Sequence, residues 1–122
     1  MKGRFTMTAT DRLSLLQFEH LSLGGDAAAQ FVISLNELRA VRLLERYEHP
    51  AALYLGDIAD AKDREELLCA KSLGMGFTHG LIAARAIAEL EAESLRRVFH
   101  DAADRALAEL LGRSAQLEDN RA

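Results

Sequence analysis

The sequence predicts an all-α protein, a small helical bundle of three main helices plus one or two short ones, assembled as a homodimer. Three observations carry the fold class. Ala, Leu, Glu and Arg are abundant and there is a single proline, Pro50, a composition that favours helix. No Asn-Gly or Asp-Gly pair offers a tight hairpin turn, and no extended Val/Ile/Thr run offers a strand. Apolar residues recur instead at three- and four-residue intervals through the long stretches, the periodicity of an amphipathic helix.

Residues 1–10 read as a loose start, and Met7 offers a second initiation point. The stretch "TDRLSLLQFEHLSLGG" (residues 10–25) reads as a short helix, capped by Thr10 or Asp11 and ended by Gly24-Gly25, with the alternation Leu13, Leu15, Gln17 leaving a strand as the alternative. "DAAAQFVISLNELRAVRLLERYEH" (residues 26–49) reads as a main helix with Asp26 as N-cap and Pro50 as its stop. It has two apolar sides. Ala29, Ile33, Ala40, Leu44 and Tyr47 form one continuous stripe, while Phe31, Leu35 and Leu38 form a second that turns basic at Arg39, Arg42 and Arg46. A helix at the edge of a monomer needs one apolar face, so the second side reads either as burial between layers or as a subunit interface.

"PAALYLGD" (residues 50–57) reads as a single turn or short helix between Pro50 and Gly56. The next helix is expected to be capped by Asp57 or Asp60 and to carry Asp63, Glu65 and Glu66 in its early turns. Its continuation, "LLCAKSLGMGFTHGLIAARA", is apolar almost all round, as a buried helix is. Cys69, Ser72, Leu73, Gly76, Gly80, Ala83, Ala84 and Ile87 share a small, smooth side that reads as the packing face. Lys71, Thr78 and Arg85 form its polar strip, and Gly74 lies away from the packing face without a role. Residues 88–113 form an amphipathic helix with an apolar stripe of Ala88, Ala92, Leu95, Phe99, Ala102, Ala103, Ala106 and Leu110. Its outward residues are Arg97, Asp101, Asp104 and Arg105, and Gly112 ends it. No strong breaker lies near Arg85, so residues 60–112 read either as one long rod or as two helices packed antiparallel across a turn there, which burial favours, and residues 114–122 read as a frayed tail.

A chain of 122 residues suits one domain spanning 1–122. The balance of 15 basic and 19 acidic residues gives a net charge of −4, which argues against direct binding of nucleic acid. No apolar run approaches the roughly 20 residues needed to span a bilayer, and the N-terminus has no apolar segment of the secretory kind. The lone Cys69 cannot form an internal disulfide. Together these features point to a cytoplasmic protein.

No reaction centre emerges. "GMGFTHG" is neither a dinucleotide fingerprint nor a phosphate loop, and no strand precedes it. The histidines His20, His49, His79 and His100 make no metal-ligand spacing. His100 and Asp104, one turn apart, read as a surface charge pair. Cys69 reads as a buried packing residue, and His79 as a satisfied interior histidine in preference to a contact at an interface. An enzyme is not expected, nor a catalytic residue, cofactor or metal.

The block "LLCAKSLGMGFTHGLIAARAIAELEAESLRRVFHDAA", about a third of the chain, resembles the small helical quorum-sensing antiactivators of pseudomonads. It shares with them a glycine-containing helix ending in "GLI-A", a short turn and an acidic-start helix. The resemblance implies a protein that binds the ligand-binding domain of a LuxR-type regulator, blocking its dimerisation and DNA binding. No catalytic residue carries over from that family. The partner surface expected from the residues is an exposed patch of Phe31, Leu35 and Leu38 with Arg39, Arg42 and Arg46. The competing expectation is an assembly subunit of a phage or plasmid type, acting by self-association.

Overall fold

The computed structural model describes residues 25–121. Among them are four helices and no strand: α1 (Gly25–Val41), α2 (Glu45–Asp60), α3 (Arg64–Ala83) and α4 (Glu89–Arg121). The short helix expected over residues 10–25 lies, but for Gly25, outside the described residues.

The helix boundaries differ from the sequence reading at four places. The helix expected over 26–49 ends at Val41, because Arg42 turns into the left-handed region at φ 63° and its N–H donates to the Arg39 carbonyl at 3.1 Å. Pro50 is not a stop but lies inside α2, where Gly56 is also buried. The missing proline N–H there removes one helical hydrogen bond, to the Arg46 carbonyl. Asp57 and Asp60 therefore sit within α2, and the cap of α3 is Asp63. Its carboxylate accepts the Glu66 N–H at 2.8 Å, while the Glu66 carboxylate accepts the Lys62 N–H at 2.9 Å. Finally, α4 runs past Gly112 to Arg121, so the expected frayed tail is helical through Arg121.

The turn near Arg85 is present. Arg85 adopts φ 58°, its N–H reaches the Ile82 carbonyl at 2.9 Å, and the Ala86 N–H reaches the Leu81 carbonyl at 2.8 Å. This is the paired C-terminal capping pattern that usually carries glycine. Across the turn, the Ala88 N–H donates to the Glu91 carboxylate at 2.8 Å and starts α4.

Short connections make chain neighbours antiparallel. α1 packs on α2 and α4, α3 packs on the same two helices, and α2 meets α4 across the middle. α1 and α3 do not touch, so they occupy opposite corners. The core is filled by Phe31, Leu35 and Leu38 from α1, Leu55 and Ile58 from α2, and Leu95 and Phe99 from α4. Burying each such side chain is worth about 1.5–3 kcal/mol. The expected stripe of α4 is inward at Ala92, Leu95, Phe99, Ala102, Ala103 and Ala106. Arg105 does not face away. Its guanidinium donates to Ser34 Oγ at 2.8 Å and to both Glu37 oxygens at 2.9 and 3.3 Å, tying α4 to α1.

Candidate interaction surface

In two helices the apolar face turned to the core is the one opposite to the face the sequence suggests. On α1 the residues expected to form an exposed patch, Phe31, Leu35 and Leu38, are at most 2% exposed. The stripe expected inside is outside: Ala29, Ile33 and Ala40 are exposed, and Leu44 is exposed in the turn beyond. Bulk decides the choice. Phe31, Leu35 and Leu38 remove more apolar area from water than an alanine-rich stripe of equal length. The basic continuation is also divided. Arg39 is half-buried on α1, Arg42 is exposed in the turn, and Arg46 is exposed on α2, 5.0 Å over the Tyr47 ring. These three arginines do not line one helical face.

On α3 the inward residues are Leu67, Ala70, Gly74, Thr78 and Leu81. Gly74 is the glycine that packing requires. A Cβ there would lie 2.7 Å from Phe99 Cδ1, in the ring of a fully buried side chain. Thr78, expected on the polar strip, is fully buried, and its hydroxyl donates to the Gly74 carbonyl at 3.0 Å. That bond satisfies the one polar group the turn brings inside.

The small face of α3 is turned outward. Cys69, Ser72, Leu73, Gly76, Gly80, Ala83 and Ala84 are exposed, and nothing lies within 4 Å of a Cβ built at Gly76 or Gly80. Leu73 within this strip is 56% exposed, and Leu68 beside it is 62% exposed. The surface is therefore a strip of mostly small residues with two exposed leucines toward its N-terminal end. Cys69 and His79 belong to this exposed side, not to the interior as expected.

Two concavities border α3. One, of about 450 Å³, lies between α2 and α3 and is lined by Asp57, Asp60, Ala61, Glu65, Glu66, Cys69, Ala70 and Leu73. A smaller one, of about 80 Å³, lies against α4 beside Leu67, Leu68 and Lys71. A third, of about 230 Å³, separates α1 from α4 and includes Glu37, Arg97 and Asp101. No group of three or more His, Cys, Asp or Glu side chains among the described residues is placed to hold a metal ion. His100 Nε2 and Asp104 Oδ2 stand 3.5 Å apart in solvent, as a surface pair would. No helix among the described residues is long and apolar enough to cross a membrane.

Among the described residues one carboxyl group is perturbed. Burial raises the pKa of Glu48, and nearby Glu45 adds to the rise while Arg39 opposes it. This group sits where α2 leaves the α1–α2 turn and lines none of the three concavities.

No protein-family model matches the chain, and no curated protein or solved structure matches it.

The exposed α3 surface was accessible to sequence reasoning in one respect. Helical spacing places its residues on one smooth side, but small side chains alone do not distinguish a buried face from an exposed one. The acidic concavity was not visible, because it forms only when the end of α2 meets the start of α3.

Proposed function

We propose that this chain is a non-enzymatic regulatory protein that acts by binding another protein through the outward side of α3. The observation that carries this reading is the outward strip of Cys69, Leu73, Gly76 and Gly80 with Leu68 beside it, all exposed. Two exposed leucines at one end of a strip of small residues form an apolar patch of the kind that marks interaction sites. The missing side chains at Gly76 and Gly80 let a partner helix approach closely.

The resemblance to quorum-sensing antiactivators supplies the partner class, a LuxR-type transcription regulator. Capping the ligand-binding domain of such a regulator would prevent its dimerisation and hence its DNA binding. The exposed side of α1 around Ile33 lies at the opposite corner. It leaves room for a second copy of this chain, in a homodimer, without blocking α3.

The test uses the purified chain with a purified LuxR-type regulator. Addition of the wild-type chain should release the regulator from its operator in a gel-shift assay and co-elute with it. Leu68→Asp/Leu73→Asp should abolish both effects while melting normally, since both side chains are exposed. Failure of the wild-type chain to bind any regulator would remove the regulator reading. A stable higher oligomer under the same conditions would favour the assembly-subunit alternative.

A further inference from the structure

The α2–α3 concavity combines an apolar floor with a rim of one charge. Ala61 and Ala70 are buried beneath it, Leu73 and Cys69 form its outer wall, and Asp57, Asp60, Glu65 and Glu66 surround it. Two of these acids have local structural uses. Glu66 accepts the Lys62 N–H, and Asp60 pairs with Lys62 at 3.6 Å. Asp57 and Glu65 have no ion-pair or hydrogen-bond partner among the described residues and are exposed.

The position of the α2 acids is unfavourable for the isolated chain. The last turns of α2 carry Asp57 and Asp60 and no basic residue within the last turn. A helix C-terminus is the negative end of the macrodipole, where cations are favoured and carboxylates are not. Glu65 suits the first turn of α3, but it adds to the same negative rim.

We propose that this groove is the docking site for a cationic amphipathic helix of the protein partner. One or two of its apolar side chains would lie over Ala61, Ala70 and Leu73, and its Arg or Lys residues would meet Asp57 and Glu65. The inference rests on the reading of α3 as a partner surface and deepens it. Leu73 and Cys69 belong to both the groove and the outward strip, so one bound segment can continue from one to the other. The rim repels phosphate-rich ligands, which excludes nucleic acid and anionic membrane as occupants of this groove.

The test is fluorescence anisotropy of the full chain with a labelled peptide of about four helical turns, with leucines on one face and arginines flanking them. Two control peptides replace the arginines by glutamates or the leucines by serines. The arginine–leucine peptide should bind, weaken with added salt, and lose roughly fivefold in affinity against Asp57→Asn/Glu65→Gln, as expected for two exposed charge contacts. Both controls should bind far more weakly. Circular dichroism melting of the double variant confirms that its fold is retained, because neither carboxylate caps a helix.

No binding of the arginine–leucine peptide, or equal binding by the double variant, would overturn the proposal. Equal binding by the serine peptide would reduce the effect to bulk charge and overturn it as well. The regulator assay separates this outcome from the broader reading. If Asp57→Asn/Glu65→Gln leaves regulator binding intact and Leu68→Asp/Leu73→Asp removes it, the α3 reading stands and the groove assignment falls. If the peptide binds as expected and no regulator does, the groove stands and the regulator reading falls.

Discussion

Substituting alanine at three glycines of one helix should give opposite signs within two turns. A helix-interior glycine is about 1 kcal/mol less favourable than alanine, so an unobstructed Gly→Ala exchange stabilises by up to that amount. Gly76 and Gly80 meet nothing within 4 Å, and each exchange there should stabilise by about 0.5–1 kcal/mol. Gly74 faces a different environment. Its new Cβ would lie 2.7 Å from Cδ1 and 2.8 Å from Cε1 of Phe99. Ordinary contact between carbons begins near 3.5 Å. The obstacle is a ring held in the centre of the core, flanked by Tyr54 at a centroid distance of 6.5 Å. It cannot swing into solvent as a lysine tip could. Overpacking of this kind costs about 1–3 kcal/mol, which offsets the helix-propensity gain and leaves a net loss of roughly 0–2 kcal/mol.

Urea denaturation followed by circular dichroism measures all three variants under the same conditions, with the m-value checking that the denatured state is unchanged. In thermal melts a difference of 1 kcal/mol corresponds to about 4 °C for a chain of this size. Gly74→Ala should melt below wild type, and Gly76→Ala and Gly80→Ala above it. If Gly74→Ala stabilises as much as the other two, Phe99 does not sit against α3, and the inward side of that helix is misassigned.

Two further perturbations test the turns and the buried carboxyl. Arg85 holds a left-handed conformation inside a capping turn, so Arg85→Gly should stabilise by about 0.5–1 kcal/mol in urea denaturation, part of the strain relief being lost to unfolded-state entropy. Burial raises the folded-state pKa of Glu48, so the folded state holds that proton more tightly than the unfolded chain. Its contribution is fully present below the ordinary carboxylate pKa of about 4.3 and is lost as pH rises from there through the raised folded value. Glu48→Gln should flatten this part of the stability–pH curve and raise the melting temperature at neutral pH. A curve of unchanged slope would contradict the burial of that carboxyl.

The fold class and α4 were legible because each rests on a single dominant pattern. α4 has one apolar stripe, and the residues from Ala92 to Ala106 point inward as that stripe requires. α1 and α3 each have two apolar sides, and periodicity alone does not rank them. Side-chain volume does for α1, where Phe31, Leu35 and Leu38 outweigh Ala29, Ile33 and Ala40. For α3 it does not, because Gly74 and Thr78 lie inward and Leu73 lies outward. That choice depends on where Phe99 of another helix needs space. The breaks at Arg42 and Arg85 were harder still. Both turns use a left-handed arginine where a glycine would have signalled the stop, so the local residues carry no mark of it. Pro50 gave the contrary error, since a proline in the second turn of α2 removes one hydrogen bond without ending the helix.

Like Gly112 in α4, Gly76 in α3 and Gly80 in its last turn are exposed helical glycines with nothing among the described residues within 4 Å of a Cβ built there. Together they lower helix stability by about 1–2 kcal/mol. That is an appreciable share of the roughly 5–15 kcal/mol by which domains are stable. Gly74 shows that a glycine in α3 can be required by close approach, and Phe99 is the group that approaches it. If the outward strip serves the same purpose, the approaching group belongs to another molecule. The Gly76→Ala/Gly80→Ala variant then separates the two effects: it should raise the stability of the isolated chain and weaken its complex with the regulator. Co-elution and urea denaturation of the same preparation measure both. An increase in stability with regulator binding unchanged would show that the partner does not use the glycines, and would confine the contact to the neighbourhood of Leu68 and Leu73.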